Sequence, residues 1–469
     1  MTITLFSAVA GLGLAVLYSA SPLTVWALVA GVAVCLSAGR DLPPAERRLL
    51  VVVLAAALSA RLLVVGAVFL SGLPHLNDLS VGALSGDEAY YLGRALRVRD
   101  ILLGFTNTKY DYFVATDEYG HTSYLTLLSW IQVALGPTPY GMRLVNALLF
   151  VGGATMLFRI ARAAFGSLPA FLGLIIVLFL PSLFVASVSL LKESLYFFVS
   201  SLLLVCVVQA LRPRAVITIV MAVPMAAACL WMLNDLRRGA LVLAAAGLAL
   251  GVALGIGARF AAGNRWRLAA TGALGVGIVV FAMAQPAIRS RALDAVVSMA
   301  KTHAGHVFTV GHAYKLMDPG FYVTPEEPGG WDLRLTEPQA ARFLVRAAVS
   351  FLVTPLPWHM VSRGELAFLP EHVLWYVTLL LLPAGIIAGW KRDPFVTSLL
   401  VGFVVPTAAA LALTNGNVGT LLRLRGLVSP YLVWVSALGA CAMADSLVSG
   451  RWFSGRLRPP SVAHGGSNA

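Results

Sequence analysis

The sequence predicts an all-α membrane protein of about 12 transmembrane helices with two long extracytoplasmic loops. Three observations carry that prediction. Of 469 residues, 59% are hydrophobic and only 12% charged, against about 25% charged in a soluble domain. Several apolar runs reach the roughly 20 residues that cross a bilayer's hydrocarbon core. These runs are continuous rather than alternating, which favours helices over a closed barrel, the other fold that satisfies its backbone groups in lipid.

Taken in order, helices are predicted over 4–20, 23–38, 50–71, 143–161, 168–187, 193–211, 215–233, 239–257, 268–285, 372–390, 395–413 and 427–445. Pro, Gly or charged groups separate them, as at Arg212-Pro213-Arg214, Asn264-Arg265 and Lys391-Arg392-Asp393-Pro394. The first run has no basic region before it and reads as a retained helix rather than a cleaved leader. Residues 1–40 read as an additional N-terminal hairpin, 41–285 as a transmembrane core, 286–371 as a second outer loop, 372–450 as the C-terminal helices and 451–469 as a cytoplasmic tail. That tail is rich in Arg, Pro, Gly and Ser and is expected to be disordered.

Orientation follows from Lys and Arg in the short connections. With the N-terminus cytoplasmic, the inner segments hold Arg40, Arg47, Arg48, Arg159, Arg162, Arg212, Arg214, Arg259, Arg265, Arg267, Lys391, Arg392, Arg451, Arg456 and Arg458. Their only acids are Asp41, Glu46, Asp393 and Asp445. Both termini are therefore expected inside. The net charge of +13 is explained by this pattern at the ends of apolar runs, so a nucleic-acid partner is rejected. Cys35, Cys206, Cys229 and Cys441 lie within apolar runs with no CxxC or Cys/His spacing, which argues against a disulfide framework or a zinc site.

The two long outer segments are about 72–142 and 286–371. Within them, Tyr124 to Leu135 is too short to cross and reads as an interfacial helix. Ala340 to Thr354 reads as a second one, with Arg342 and Arg346 beside apolar residues and Pro355, Pro357 and Trp358 ending it. Long outer loops with partial structure carry function more often than simple connectors do.

Candidate chemistry begins at Ser85-Gly86-Asp87-Glu88-Ala89-Tyr90-Tyr91. Adjacent carboxylates there can act as a general base or bind a cation. The plain alternative is a solvated turn with Asp87 capping the next helix. At Lys192-Glu193, between two apolar runs, Lys192 could face an anion and Glu193 orient it; the alternative is an ion pair snorkelling at the interface. Asn415-Gly416-Asn417-Val418-Gly419 permits a tight turn whose amides could face an anion. Arg423 and Arg425 follow it, suited to phosphate oxygens or to lipid head groups. Asn234-Asp235-Leu236-Arg237-Arg238 has the same two readings. His303, His306 and His312 could lie near one another, but no motif marks a metal site. Arg61, mid-helix, costs roughly 2.5–3.5 kcal/mol on insertion scales and is expected to pair with an acid on another helix.

In order, these features resemble the GT-C superfamily of membrane glycosyltransferases, including the protein O-mannosyltransferase-like and lipid A aminoarabinose transferase-like enzymes. The resemblance rests on the Asp87-Glu88 pair with Tyr90-Tyr91 after a crossing helix, and on an interfacial segment leading through Gly136-Pro137 to Arg143-Leu144. It continues with Arg159 to Gly166, Pro181 ahead of Lys192-Glu193, and the late outer Arg423 and Arg425. It covers about 50–212 well and 340–445 more loosely. The chain departs from the family at His121-Thr122-Ser123, where His-Pro-Pro is common.

The resemblance implies a GT-C-like fold and a donor sugar carried on a polyprenyl phosphate. It implies that an acid of the first loop deprotonates an acceptor hydroxyl, of a glycan, lipid or protein, which attacks the anomeric carbon with inversion. In these terms Asp87 is the expected base and Glu88 its partner or a cation ligand. Lys192, Arg237, Arg238, Arg423 and Arg425 are the expected phosphate-side groups, with Tyr90, Tyr91, His121, Glu193 and His306 as further site candidates. No cofactor is assigned, and a divalent cation stays open. Compact loops and an Ala/Gly/Leu/Arg-rich composition point to a bacterial inner membrane. Two other readings compete: an O-antigen-type polymerase or ligase, and a transporter or lipid flippase. A transporter would place polar residues near the midplane with repeat symmetry, and no repeat is evident.

Overall fold

A computed structural model describes residue 7 and residues 9–15, 21–72, 86–105, 108–117, 122–137, 139–212, 215–261, 265–323, 333–360 and 366–449. These are overwhelmingly helical. Among the described residues the only β-type pairing is an isolated antiparallel bridge between Ala313 and Asn417. After a helical stretch at 9–15 come α1 (Pro22–Ala38), α2 (Pro44–Gly72), α3 (Gly86–Leu102), α4 (Lys109–Thr116), α5 (Ser123–Leu135) and α6 (Pro139–Phe165). Then follow α7 (Ser167–Phe179), α8 (Pro181–Val188), α9 (Glu193–Leu211), α10 (Val216–Leu236), α11 (Ala240–Ala261) and α12 (Arg265–Ala284). The last are α13 (Pro286–Val307), α14 (Glu337–Val353), α15 (Leu369–Arg392), α16 (Pro394–Thr414), α17 (Val418–Arg425) and α18 (Ser429–Ser449).

Eight of these are long and apolar enough to cross a membrane, and ten spans result if two bent helix pairs each count as one. The helices are those of an integral membrane protein. The expected count of about 12 is not reached on this measure: α1 has 17 residues, and most of the first expected helix lies outside the described residues. The expected tail at 451–469 also lies outside them.

The run read as one crossing over 168–187 is two helices, α7 and α8, bent by 58°. Pro181 opens the second. Proline has no N–H to donate and its ring collides with the preceding turn, so the ladder breaks there. Buried Arg61 of α2 fills the break. It donates to the Leu178 carbonyl at 2.8 Å, to Ser187 Oγ at 2.8 Å and to its own Ala57 carbonyl at 3.1 Å. Its guanidinium also stands over the Phe184 and Phe150 rings. The acid expected as its partner is therefore replaced by carbonyls, a hydroxyl and ring faces.

The chain divides into two compact units, Met1–Ile160 with Leu174–Val242, and Ala161–Gly173 with Leu243–Ala469. In the first, α9 packs along α10, and the charged helix α3 packs on the apolar α5. The helix α4 starts at a reciprocal cap: Thr108 Oγ1 accepts from the Asp111 N–H at 3.1 Å, and the Asp111 carboxylate accepts from the Thr108 N–H at 3.4 Å.

In the second unit α15 and α18 meet backbone to backbone. A Cβ on Gly385 would collide with the Val435 carbonyl oxygen, and one on Gly439 with that of Leu381, the small-residue packing typical of membrane helices. The amphipathic α14 buries Ala340, Phe343, Ala347 and Phe351 and packs on α16. Its opposite side carries Arg342, paired with Asp318 at 3.2 Å.

Candidate functional site

The first turn of α3 holds Asp87 and Glu88. Asp87 therefore sits inside the helix rather than at its cap, and the two carboxylates have different surroundings. Glu88 is 1% exposed. Its Oε1 accepts from Arg143 Nε at 2.7 Å and from the Leu190 N–H at 2.9 Å. Asp87 is exposed. A buried carboxylate with two donors on one oxygen is an anchor, whereas an exposed one beside it can meet a substrate proton.

One turn along α6 from Arg143, Asn146 repeats the link. Its side-chain amide donates to the Tyr124 hydroxyl at 2.9 Å and reaches the carbonyls of Ser189 at 2.6 Å and Leu191 at 3.0 Å. Two residues of α6 thus hold the start of α3, the start of α5 and the turn preceding Lys192. Burial and the Glu193 and Glu88 charges push the Tyr124 phenol far up, partly offset by the Asn146 hydrogen bond, so Tyr124 is neutral and its hydroxyl is an acceptor for Asn146. Tyr91 packs edge-on against Tyr124 with centroids 5.8 Å apart, and Tyr90 against Tyr91 at 5.9 Å. Arg94, also buried, donates to the Tyr90 hydroxyl at 2.8 Å and to the Asp117 carbonyl.

Lys192 precedes α9 at its N-cap, and Glu193 opens the helix. Glu193 pairs with Arg237 at 3.2 Å, both partly buried, which joins this turn to the C-terminus of α10. Arg238 beside it is exposed. Asp235, in the last turn of α10, accepts from the Ser123 N–H at the start of α5. The structure thus brings together Asp87, Glu88, Tyr90, Tyr91, Lys192, Glu193, Arg237 and Arg238 at one end of the first unit. His121 lies outside the described residues. An apolar groove of about 330 Å³ runs elsewhere in this unit between α1, α2 and α6, with Ala27, Leu62, Leu144 and Leu148 on its walls.

Arg423 and Arg425 belong to the second unit, and their side chains differ. Arg423 is exposed and Arg425 buried. Arg425 donates to the Phe351 carbonyl, and its guanidinium lies 5.5 Å from the Phe351 ring centroid and 5.2 Å from that of Trp375. Burial pulls its pKa down to about 10, so it is still a cation at neutral pH. Its Nε and Nη1 have no hydrogen-bond partner. A buried polar group in that condition costs on the order of 1–3 kcal/mol.

The Gly416 turn is occupied by protein rather than open to an anion. The Val418 N–H donates to the His312 carbonyl at 2.8 Å, the Tyr314 N–H to the Gly416 carbonyl at 2.9 Å, and the Thr420 N–H to Asn417 Oδ1 at 3.1 Å. Asn417 is thus the cap of α17. Gly416 is required because a Cβ there would meet the His303 carbonyl at 2.5 Å.

The three histidines are dispersed in role. His303 is fully buried against Tyr314, Tyr322 and Phe343, and burial pulls its pKa down to about 4. The His306 ring nitrogen Nδ1 meets the Thr414 carbonyl at 2.7 Å. His312 is exposed. Among the described residues, no group of three or more His, Cys, Asp or Glu is placed to hold a metal ion. Glu88, expected as a partner of Asp87 or a cation ligand, has its Oε1 engaged by Arg143 and by the Leu190 N–H.

Sequence reasoning did not single out Asn146 or Tyr124. An asparagine inside an apolar run was the available signal for the first. No family model, no curated protein and no solved structure matches this chain.

Proposed function

We propose that the protein is a GT-C-type membrane glycosyltransferase. It moves a sugar from a polyprenyl-phosphate donor to an acceptor hydroxyl of a glycan, lipid or protein, on the extracytoplasmic face of a bacterial inner membrane, with both termini cytoplasmic. One observation carries the reading. An exposed Asp87 stands next to a buried Glu88–Arg143 anchor, at the same end of the first unit as Lys192, Arg237 and Arg238.

In this reading Asp87 takes the acceptor hydroxyl proton. The acceptor oxygen bonds to the anomeric carbon as the bond from that carbon to the phosphate oxygen breaks, inverting the centre. The electron pair leaves with the lipid phosphate, and pre-placed cations stabilise it. Lys192, Arg237 and Arg238 are the proposed phosphate-side groups of the first unit, whereas Arg423 and Arg425 lie in the second. Glu88 acts as a positioning residue that fixes the start of α3. Tyr90 and Tyr91 shape the acceptor side. The apolar groove is of a kind that suits a lipid chain. Replacing Asp87 with Asn tests the reading: sugar transfer is lost while folding is retained.

A further inference from the structure

We infer that the first unit binds an anionic phospholipid, its phosphate on Arg47 and Arg48 and one acyl chain in the apolar groove between α1, α2 and α6. The inference rests on the membrane character of these helices and not on the sugar-transfer reading. The groove has a volume of about 330 Å³, and among the described residues no charged one lines it. A second pocket, of about 580 Å³, is lined by Leu42, Pro44, Arg47, Arg48, Val51 and Val52. Val51 lines both, so the groove and the basic pocket adjoin.

One face of α2 builds both. Residues three or four apart share a helix face, and Arg47, Arg48, Val51, Ala55, Leu58 and Leu62 follow that spacing. The stretch from Val51 to Leu62 rises about 16 Å, close to the ~15 Å of one leaflet, half of a hydrocarbon core. The polar end is positioned in advance. A Cβ on Gly39 would lie 2.8 Å from Arg47 Cγ, so the Arg47 stem packs on the turn after α1, while Arg47 and Arg48 stay exposed. Asp41 of the same connection pairs with Arg159 at 2.6 Å, and among the described residues no acid lines the basic pocket. At the opposite end Ala27 and Leu62 pack against the buried cluster of Val65, Tyr140, Leu144 and Val188. Packed side chains close the groove there, and an acyl chain reaches it from the arginine end. An apolar groove by itself takes any lipid chain. Two arginines at its mouth select a head group with net negative charge, because a phosphodiester accepts charge-assisted bonds from guanidinium and basic pockets between membrane helices attract anionic lipids.

Purified full-length protein in detergent is titrated with phosphatidylglycerol, with phosphatidylcholine of the same acyl chains and with farnesyl phosphate, and bound lipid is counted by native mass spectrometry. The first molecule of phosphatidylglycerol should bind at least about tenfold more tightly than the first of phosphatidylcholine. Arg47→Gln/Arg48→Gln should abolish that preference. Ala55→Phe, which fills the groove and leaves both arginines in place, should weaken both phospholipids. Arg47, Arg48 and Ala55 are exposed, so these variants should fold; where one does not, the other carries the test. Equal affinity for the two phospholipids in the wild type marks a nonselective boundary lipid and overturns the site. A preference that survives the substitutions overturns it as well. Loss of farnesyl phosphate binding alone in Ala55→Phe assigns the groove to a prenyl chain and overturns the phospholipid. None of these outcomes bears on the Asp87→Asn test.

Discussion

Arg143 Nε donates to Glu88 Oε1 at 2.7 Å, with the two side chains only 8% and 1% exposed. This ion pair joins the first turns of α3 and α6 and, through the Leu190 N–H, the turn ahead of Lys192. Breaking a buried pair from one side strands the other charge, at a cost of about 3–5 kcal/mol. Glu88→Ala and Arg143→Ala should each lower thermal stability in detergent by that order. The Glu88→Leu/Arg143→Met double variant should lose less than the sum of its two single variants. Additive losses would show that the pair is not coupled.

Arg61 gives a second expectation. Its partners are the Leu178 and Ala57 carbonyls and the Ser187 hydroxyl. Arg61→Leu leaves the Leu178 carbonyl at the helix break without this donor and should destabilise by roughly 1–3 kcal/mol. Arg61→Lys loses the forked geometry and should recover only part of that. Melting curves of the three proteins rank them; a fully wild-type Lys variant would contradict the forked contact.

Gly385 and Gly439 stand where α15 and α18 touch through their backbones. Gly385→Val and Gly439→Val force the helices apart and should cost about 1–3 kcal/mol or more. Gly272→Val, where nothing surrounds the added carbon within 4 Å, should be nearly neutral in the same assay.

His303 predicts an acid-sensitive second unit. Burial, the largest cause, holds its pKa near about 4, below the ordinary 6.5. The unfolded chain therefore binds a proton that the folded protein refuses. The stabilisation is fully present above the unfolded pKa and is lost as pH falls from about 6.5 towards 4, by on the order of 2–3 kcal/mol. Stability measured across that window should fall less steeply in His303→Phe than in the wild type. Equal slopes would refute the assignment.

The apolar runs were legible as helices because run length and hydropathy are local properties. Their breaks were less so: Pro181 stood in plain view, yet the apolar residues on both sides read as one crossing. The acidic pair was legible as chemistry, but the difference between its two members was not. Glu88 is set apart by Arg143, 55 residues away, and Leu190, 102 residues away, and such pairings are tertiary. For the same reason the Gly416 turn read as an open cradle, although its backbone groups are taken by 312–314.

As the proposed base of a lipid-phosphate-dependent sugar transfer, Asp87 should control the departure of the lipid phosphate. The most direct measurement is lipid-phosphate release by purified protein from a panel of polyprenyl-phosphate sugars with an acceptor hydroxyl present. The wild type should release lipid phosphate from at least one donor. Asp87→Asn, with an unchanged melting profile, should release it at least about a hundredfold more slowly. Release at the wild-type rate by Asp87→Asn, or no release by the wild type from any donor, would contradict the account.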